Sequence, residues 1–259
     1  MRAPTDLPAI TADILALVRV RAPRVHCITN AVAQNFSANM LLALGAVPSM
    51  TIALDEVADF VKRADALLVN LGTLDPERRA ALEEAVTAAD ARVPEPVPWV
   101  LDPVLVDRSP PRAAFAQALV ERRPRALRLN AAEFLALAGQ MPTVAALASY
   151  AAAQKSVIGL TGDRDVVADG ERTVVIRNGD PLMAKVTAMG CAASAVVAAC
   201  HAVEPDAWVA AAAGLLLMGI AGEVAAEQAR GPGSFAVAVL DALHGLDAGT
   251  IAQRARIER

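Results

Sequence analysis

Short apolar runs that end in a polar residue alternate along this chain with longer stretches whose apolar positions recur at helical spacing. Val25-His26-Cys27-Ile28-Thr29-Asn30, Pro48-Ser49-Met50, Ala66-Leu67-Leu68-Val69-Asn70, Trp99-Val100-Leu101-Asp102-Pro103-Val104, Ala126-Leu127-Arg128-Leu129-Asn130 and Val157 to Asp163 read as strands. Between them, helices are predicted from Asp6 to Arg19, with Thr11 as a cap and Pro23 as the stop, and from Gln34 to Leu44, closed by Gly45. Further helices are predicted from about Asp55 to Ala64, from Asp75-Pro76-Glu77 onward, and from Ala131 to Ala138. Asp165 to Ile176 reads as a hairpin turning at Asp169-Gly170. A strand-like run then passes through Lys185-Val186-Thr187-Ala188-Met189-Gly190-Cys191 into an alanine-rich helix, Ala192 to His201. This alternation predicts an α/β fold: a doubly wound, mostly parallel sheet with helices on both faces. No linker or composition break interrupts it, so residues 1–259 read as one domain.

Composition narrows the picture. Hydrophobic residues make up 55% of the chain but aromatics only 3%, so Ala, Val and Leu must fill the core, which suits close helix-on-sheet packing. The apolar run Ala207 to Ile220, bounded by Asp206 and Glu223, reads as a buried core helix too short to span a bilayer. Met1 to Val20 lacks the charged-then-apolar layout of a signal peptide, so no membrane is expected. A net charge of −4 with scattered Lys and Arg argues against nucleic acid. Cys27, Cys191 and Cys200 have neither zinc-ligand nor disulfide spacing, which points to a reducing cytoplasm.

In open α/β sheets ligands bind outside the carboxyl ends of the strands. Polar and small residues gather at those ends here: Asn30, Met50, Asn70 with Gly72 and Thr73, Asp102, Asn130, Thr161 with Gly162, and Gly190 with Cys191. The helix opening near Gly190 would present unpaired N–H groups to an anion, with Cys191 drawn toward thiolate at its mouth. A small buried cysteine at a structural junction is the plainer reading of that stretch. Asp102 and Glu133 suggest metal work, although Asn130 followed by Glu133 also reads as a capping box. The two are compatible if Glu133 approaches Mg²⁺ through water. No dinucleotide fingerprint or P-loop occurs, and His26, His201 and His244 read as structural.

Taken together, these segments resemble the hydroxyethylthiazole kinase family of the ribokinase-like superfamily, from Val25 to about Phe235. The likeness is carried by His26 to Asn30, Asn35-Phe36-Ser37-Ala38-Asn39, Leu42 to Ala46, Leu68 to Leu74, Leu101 to Val104, Arg128 to Glu133, Asn178 to Met183 and Gly231-Pro232-Gly233-Ser234-Phe235. The resemblance implies a ribokinase-like fold. It also implies transfer of the ATP γ-phosphoryl group to the alcohol of 4-methyl-5-(2-hydroxyethyl)thiazole, in thiamin salvage. It would place Asn30, Val32 and Met50, with Ala188 of the anion-hole turn, around the thiazole. Arg128, Asn130, Thr161 and Gly190 would hold ATP, Asp102 and Glu133 would organise Mg²⁺, and Cys191 would stand where related sugar kinases carry an aspartate base. The family is trimeric, with sites between subunits, so Met50 would serve a neighbour's pocket.

The departures fall on the chemistry. Where the family's anion-hole turn has a glycine this chain has Ala188, costing about 1–2 kcal/mol if φ is positive there. Met189 would put a long side chain where phosphate approaches. Leu105-Val106-Asp107 replaces a small glycine-rich loop, with Asp107 adding negative charge; Leu129 replaces a glycine, and a glycine-containing insertion after the Asn130 helix is missing, Gly139-Gln140-Met141-Pro142 leading almost directly into the next helix. Three readings therefore stand: a working thiazole kinase, a related kinase with changed substrate or donor, and a non-catalytic ligand-binding protein that kept the fold.

Overall fold

The computed structural model describes residues 6–258; the first five positions of the N-terminal stretch, and position 259, lie outside them. Its strands are β1 (Arg24–Ile28), β2 (Val47–Ser49), β3 (Ala66–Asn70), β4 (Trp99–Asp102), β5 (Ala126–Asn130), β6 (Val157–Thr161), β7 (Asp165–Ala168), β8 (Thr173–Ile176) and β9 (Ile257–Glu258). They form one sheet in the order β2-β1-β3-β4-β5-β6-β7-β8-β9. From β2 to β6 every pairing is parallel; β7, β8 and β9 add antiparallel. The sheet is thus mixed and mostly parallel.

Helices α1 (Leu7–Arg21), α2 (Gln34–Leu44), α3 (Val57–Arg63), α4 (Pro76–Ala91), α5 (Pro110–Glu121), α6 (Ala131–Ala138), α7 (Val144–Gln154), α8 (Met189–His201), α9 (Ala207–Gln228), α10 (Pro232–Gly245) and α11 (Ala248–Arg254) cover it. The side-chain period of two divides each strand between two cores. Val25, Cys27, Leu68 and Val100 join Ile14, Leu41, Val196 and Leu216 of α1, α2, α8 and α9. Ile28, Leu67, Val69, Leu101 and Leu127 join Val61, Val86, Phe115, Phe134 and Leu147 of α3 to α7. This two-faced burial is the double winding expected from the alternation.

Small residues set the spacing on the first face. A Cβ added to Gly214 in α9 would lie 2.7 Å from the Val197 Cα in α8, so these two helices meet backbone to backbone. The two tryptophans sit at the other rim of the sheet from the polar strand ends. Trp99 opens β4, and the buried Trp208 donates its indole N–H to the Val167 carbonyl at 3.2 Å. Arg172 lies 4.8 Å from the Trp208 ring centroid.

Three local expectations change. The run before Cys191 is not a strand: Asp180 caps a 3₁₀ turn, Pro181–Lys185, and α8 already begins at Met189. The sheet position beside β6 is taken by β7, and Pro181 cannot donate to a ladder. Thr11 does not cap α1; the helix starts after Asp6 with a proline in its first turn, and Thr11 lies fully buried inside it. The Ala207 run continues past Ile220 to Gln228, so α9 is long and apolar enough to cross a membrane by length alone. Its apolar window is nevertheless 83% buried, packed against α1, α8 and α10.

Candidate functional site

The carboxyl ends of the parallel strands and the N-terminus of α8 meet on one rim. A cavity of about 770 Å³ opens there, walled by Arg128 of β5, Thr161 and Gly162 at the end of β6, Asp165, the segment from Asn178 to Lys185, Met189 and Gly190 of α8, and Gly219 of α9. Arg128 is half-buried, and its Nε is one of the buried polar atoms without a partner among the described residues. Its guanidinium lies so close to α8 that a Cβ on Gly190 would be 3.0 Å from Nη1. A cation with an unspent donor beside the first N–H groups of a helix is an arrangement for binding an anion. Thr161 stands at the same wall, its hydroxyl donating weakly to the Leu129 carbonyl at 3.4 Å.

The loops around this rim carry backbone strain. Ala188 caps α8 at φ 69, ψ −6, as a positive-φ position held by a side chain, and Leu105 (φ 59) and Thr73 (φ 51) do the same after β4 and β3. Each costs on the order of 1–2 kcal/mol relative to an allowed conformation. Met189, by contrast, does not stretch across the helix mouth: it is 5% exposed and belongs to the apolar core, adding only part of the cavity wall. Asp107 is matched by Arg108 at 2.7 Å.

Behind the cavity lies a buried polar cluster. Asp102, 1% exposed, accepts hydrogen bonds at Oδ2 from Asn70 Nδ2 and Ser194 Oγ, each at 2.7 Å. Burial pushes its carboxyl up to about 6; Arg128 opposes this, and Glu133 adds to it. Burial also pushes the Cys191 thiol up to about 12, the Asp102 charge reinforcing it against the smaller pulls of Asn70 and Arg128. The expectation that the helix mouth draws Cys191 toward thiolate is therefore corrected: desolvation outweighs the helix, and the sulfur carries its proton at neutral pH.

Asn130 and Glu133 form the capping box anticipated as one of two readings. Asn130 Oδ1 accepts from the backbone of Ala132 and Glu133, while Glu133 Oε2 accepts from Asn130 N at 2.9 Å and Oε1 from Leu105 N at 3.0 Å. Asn130 does not line the cavity, and both Glu133 oxygens are engaged. Among the described residues no three His, Cys, Asp or Glu gather as a metal cage. Asp102 and Glu133 suit a hydrated Mg²⁺ carried by phosphates, which keeps most of its waters, rather than a dehydrated ion.

Asn30, Val32 and Met50 stand apart from the 770 Å³ cavity, nearer the β2 edge. Asn30 Oδ1 accepts from Thr73 Oγ1 at 2.7 Å and from Val32 N at 3.2 Å; Val32 is 66% exposed, and Met50 follows β2 half-buried. A Cβ on Gly72 would meet the Asn30 side chain at 2.5–2.7 Å, so this turn also depends on glycine. Three participants were not singled out by sequence. Asn70 was legible only as one polar strand end among several, and Ser194, one turn past Gly190, looked like another small residue of an alanine-rich helix. Asp165 read as the start of a hairpin, yet it lines the cavity, with its carboxyl pushed up to about 6 by desolvation. His26 is buried, its ring bonded to Ser49 Oγ at 2.8 Å and the Thr51 carbonyl at 3.1 Å.

Comparison with known proteins places this chain in a family. A model of the hydroxyethylthiazole kinase family matches residues 15–249. The chain is 45% identical over 255 residues to a probable hydroxyethylthiazole kinase of Agrobacterium fabrum, covering 98% of this chain and 97% of the relative. It is likewise 45% identical to the hydroxyethylthiazole kinase of Cronobacter sakazakii, over 90% and 92% of the two chains. The solved structure of a hydroxyethylthiazole kinase protein from Pyrococcus horikoshii superposes with a TM-score of 0.91 at 34% identity, covering 96% and 98%. A Bacillus subtilis pyridoxal kinase in an ADP complex shares the fold at 17% identity, with a TM-score of 0.57 over 75% of this chain and 89% of its own.

Proposed function

The chain belongs to the hydroxyethylthiazole kinase family and is a kinase of thiamin salvage; from that premise we propose how its residues divide the work. The observation that carries the reading is the Arg128 guanidinium, with its unpartnered Nε, seated against Gly190 at the head of α8 on the cavity wall. ATP enters this cavity, and its terminal phosphates lie between Arg128, Thr161 and the N–H groups of α8.

The alcohol of 4-methyl-5-(2-hydroxyethyl)thiazole approaches from the Asn30 corner. Its oxygen bonds to the γ-phosphorus as the bond to the β,γ-bridging oxygen breaks and ADP leaves. Such a transfer needs positioning and charge balance more than covalent help. Cys191, held as a thiol, orients the alcohol, and the Asp102 carboxylate beside it takes the departing proton. Mg²⁺, when bound, neutralises phosphate charge, and Asp102 and Glu133 would face it through its waters.

The neighbourhood of β2 supports a homotrimer with sites completed between subunits. Val32, Leu42, Val47, Leu54 and Phe60 are all at least 41% exposed. Val32 and Met50 sit here rather than on the cavity wall, so they suit a thiazole pocket closed by a neighbouring copy. The single sheet running through β9 supports one domain, and three free buried cysteines suit the cytoplasm.

The test is calorimetric titration with hydroxyethylthiazole and, separately, Mg-ATP, followed by a phosphotransfer assay and a solution mass on the same sample. Binding of both with turnover and a trimeric mass supports the reading; thiazole binding without Mg-ATP binding overturns it. Cys191→Ala should lower turnover more than thiazole affinity, and unchanged turnover would remove Cys191 from the mechanism.

A further inference from the structure

Asn70 and Asp102 are register partners at the carboxyl ends of β3 and β4, and both are essentially inaccessible to water. A carboxylate placed there costs stability unless donors satisfy it. Two donors come from different elements, Asn70 on a strand and Ser194 on α8, and both fall on the same oxygen, Oδ2. The other oxygen takes no hydrogen bond from the protein among the described residues.

The Asn70 amide is held at both ends. Its Nδ2 donates to Asp102, while its Oδ1 accepts from Gly72 N at 2.9 Å. Only one orientation of the amide satisfies both partners, since a flipped amide would set oxygen against carboxylate and NH₂ against N–H. Gly72 in turn is the residue on which the Asn30 side chain rests. On the other side, Ser194 also reaches the Gly190 carbonyl at 3.3 Å, and Gly190 abuts Arg128. An unbroken path therefore runs from Asn30 through Gly72, Asn70, Asp102 and Ser194 to Gly190 and Arg128. A purely structural contact at this depth would be better made by apolar side chains, which need no partners.

We propose that Asn70 and Ser194 are positioning residues for phosphoryl transfer, clamping one oxygen of Asp102 so that its other oxygen faces the reacting groups, with Asn70 also setting the Gly72 turn beneath Asn30. The proposal rests on the reading of Asp102 as part of the site. The clamp acts on geometry during the chemical step, so its loss lowers turnover without weakening nucleotide binding.

The experiment compares full-length wild type, Ser194→Ala, Asn70→Ala and Asp102→Ala in steady-state phosphotransfer, with Mg-ATP and thiazole affinities from calorimetry. Ser194→Ala places alanine in an alanine-rich helix and should lower kcat about tenfold, and Asn70→Ala up to about a hundredfold, with the affinity and KM for Mg-ATP within about threefold of wild type. Asn70→Ala should in addition raise the KM for thiazole, because it frees the Gly72 turn. If Asn70→Ala fails to fold, Ser194→Ala carries the test alone. A kcat within twofold of wild type in the clamp variants, or a loss of kcat matched by a loss of Mg-ATP affinity, overturns the clamp. If that happens while Asp102→Ala is impaired, the clamp is wrong and Asp102 keeps its role; wild-type turnover in Asp102→Ala removes Asp102 itself, and the clamp with it.

Discussion

Ala188 and Met189 are neighbours whose substitutions should act with opposite sign. Ala188 holds φ 69 at the head of α8, so Ala188→Gly relieves about 1–2 kcal/mol of strain and gives back part of that through a freer unfolded chain. A net gain of about 1 kcal/mol is expected in denaturant unfolding. Met189→Thr removes a core side chain and should cost about 2 kcal/mol. Combining the two would therefore not reopen an obstructed anion hole, because Met189 does not obstruct it. The sequence made Ala188 legible, since a side chain replacing a glycine in a turn predicts strain wherever φ is positive. It could not show which way Met189 points, because that depends on the packing of α8 against α9. The state of Cys191 was hidden for a related reason: the helix mouth is a local feature, but the burial that overrides it comes from tertiary packing.

Among the elements, α8 carries Gly190, Cys191 and Ser194 in its first turns and meets α9 backbone to backbone at Val197, two turns beyond Gly190. Gly214→Ala would drive a Cβ to 2.7 Å from the Val197 backbone, a contact that no side-chain rotation relieves. It should destabilise the fold by about 2 kcal/mol in chemical denaturation and lower turnover as well, because α8 must shift outward with its phosphate-facing end. The parallel strands were readable because each is a short apolar run with a polar end, buried on both faces. The 3₁₀ turn at Pro181–Lys185 was not, since its apolar residues imitate a strand and only the occupied sheet position beside β6 excludes one. The two-residue β9 carries no periodicity at all, and it pairs only because α11 returns the chain to β8.

For the whole molecule, buried ionisable groups set how stability responds to acid. Burial lowers His201 to about 3 and His26 to about 4, and both His201 ring nitrogens lack partners among the described residues. The unfolded chain binds these protons near pH 6.5 and the folded chain does not, so this contribution is complete above about pH 6.5 and is lost as pH falls toward the folded values. Asp102 and Asp165, raised to about 6, act the other way, gaining stability as pH falls from about 6 toward 4. Wild type alone therefore shows a muted slope, and the comparison with His201→Gln isolates the histidine. Between pH 7 and 5 the stability of wild type relative to that variant should fall by about 2 kcal/mol, measured by urea unfolding. At this scale the sheet's functional rim was legible from where polar residues end strands, whereas the grouping of Asn30, Val32 and Met50 away from the main cavity was not. It follows from the strand order, which places β2 at the edge.

That same strand order decides what light can report. Trp99 opens β4 and Trp208 opens α9, both at the opposite rim from Asn70, Asp102 and Thr161. Each indole is shielded, and among the described residues the charged group stacked on either is Arg172 on Trp208, which is tied to Asp169 and Asp206. Intrinsic emission is therefore a gauge of unfolding that stays blind to occupancy, so the loading of this protein has to be followed through heat or product.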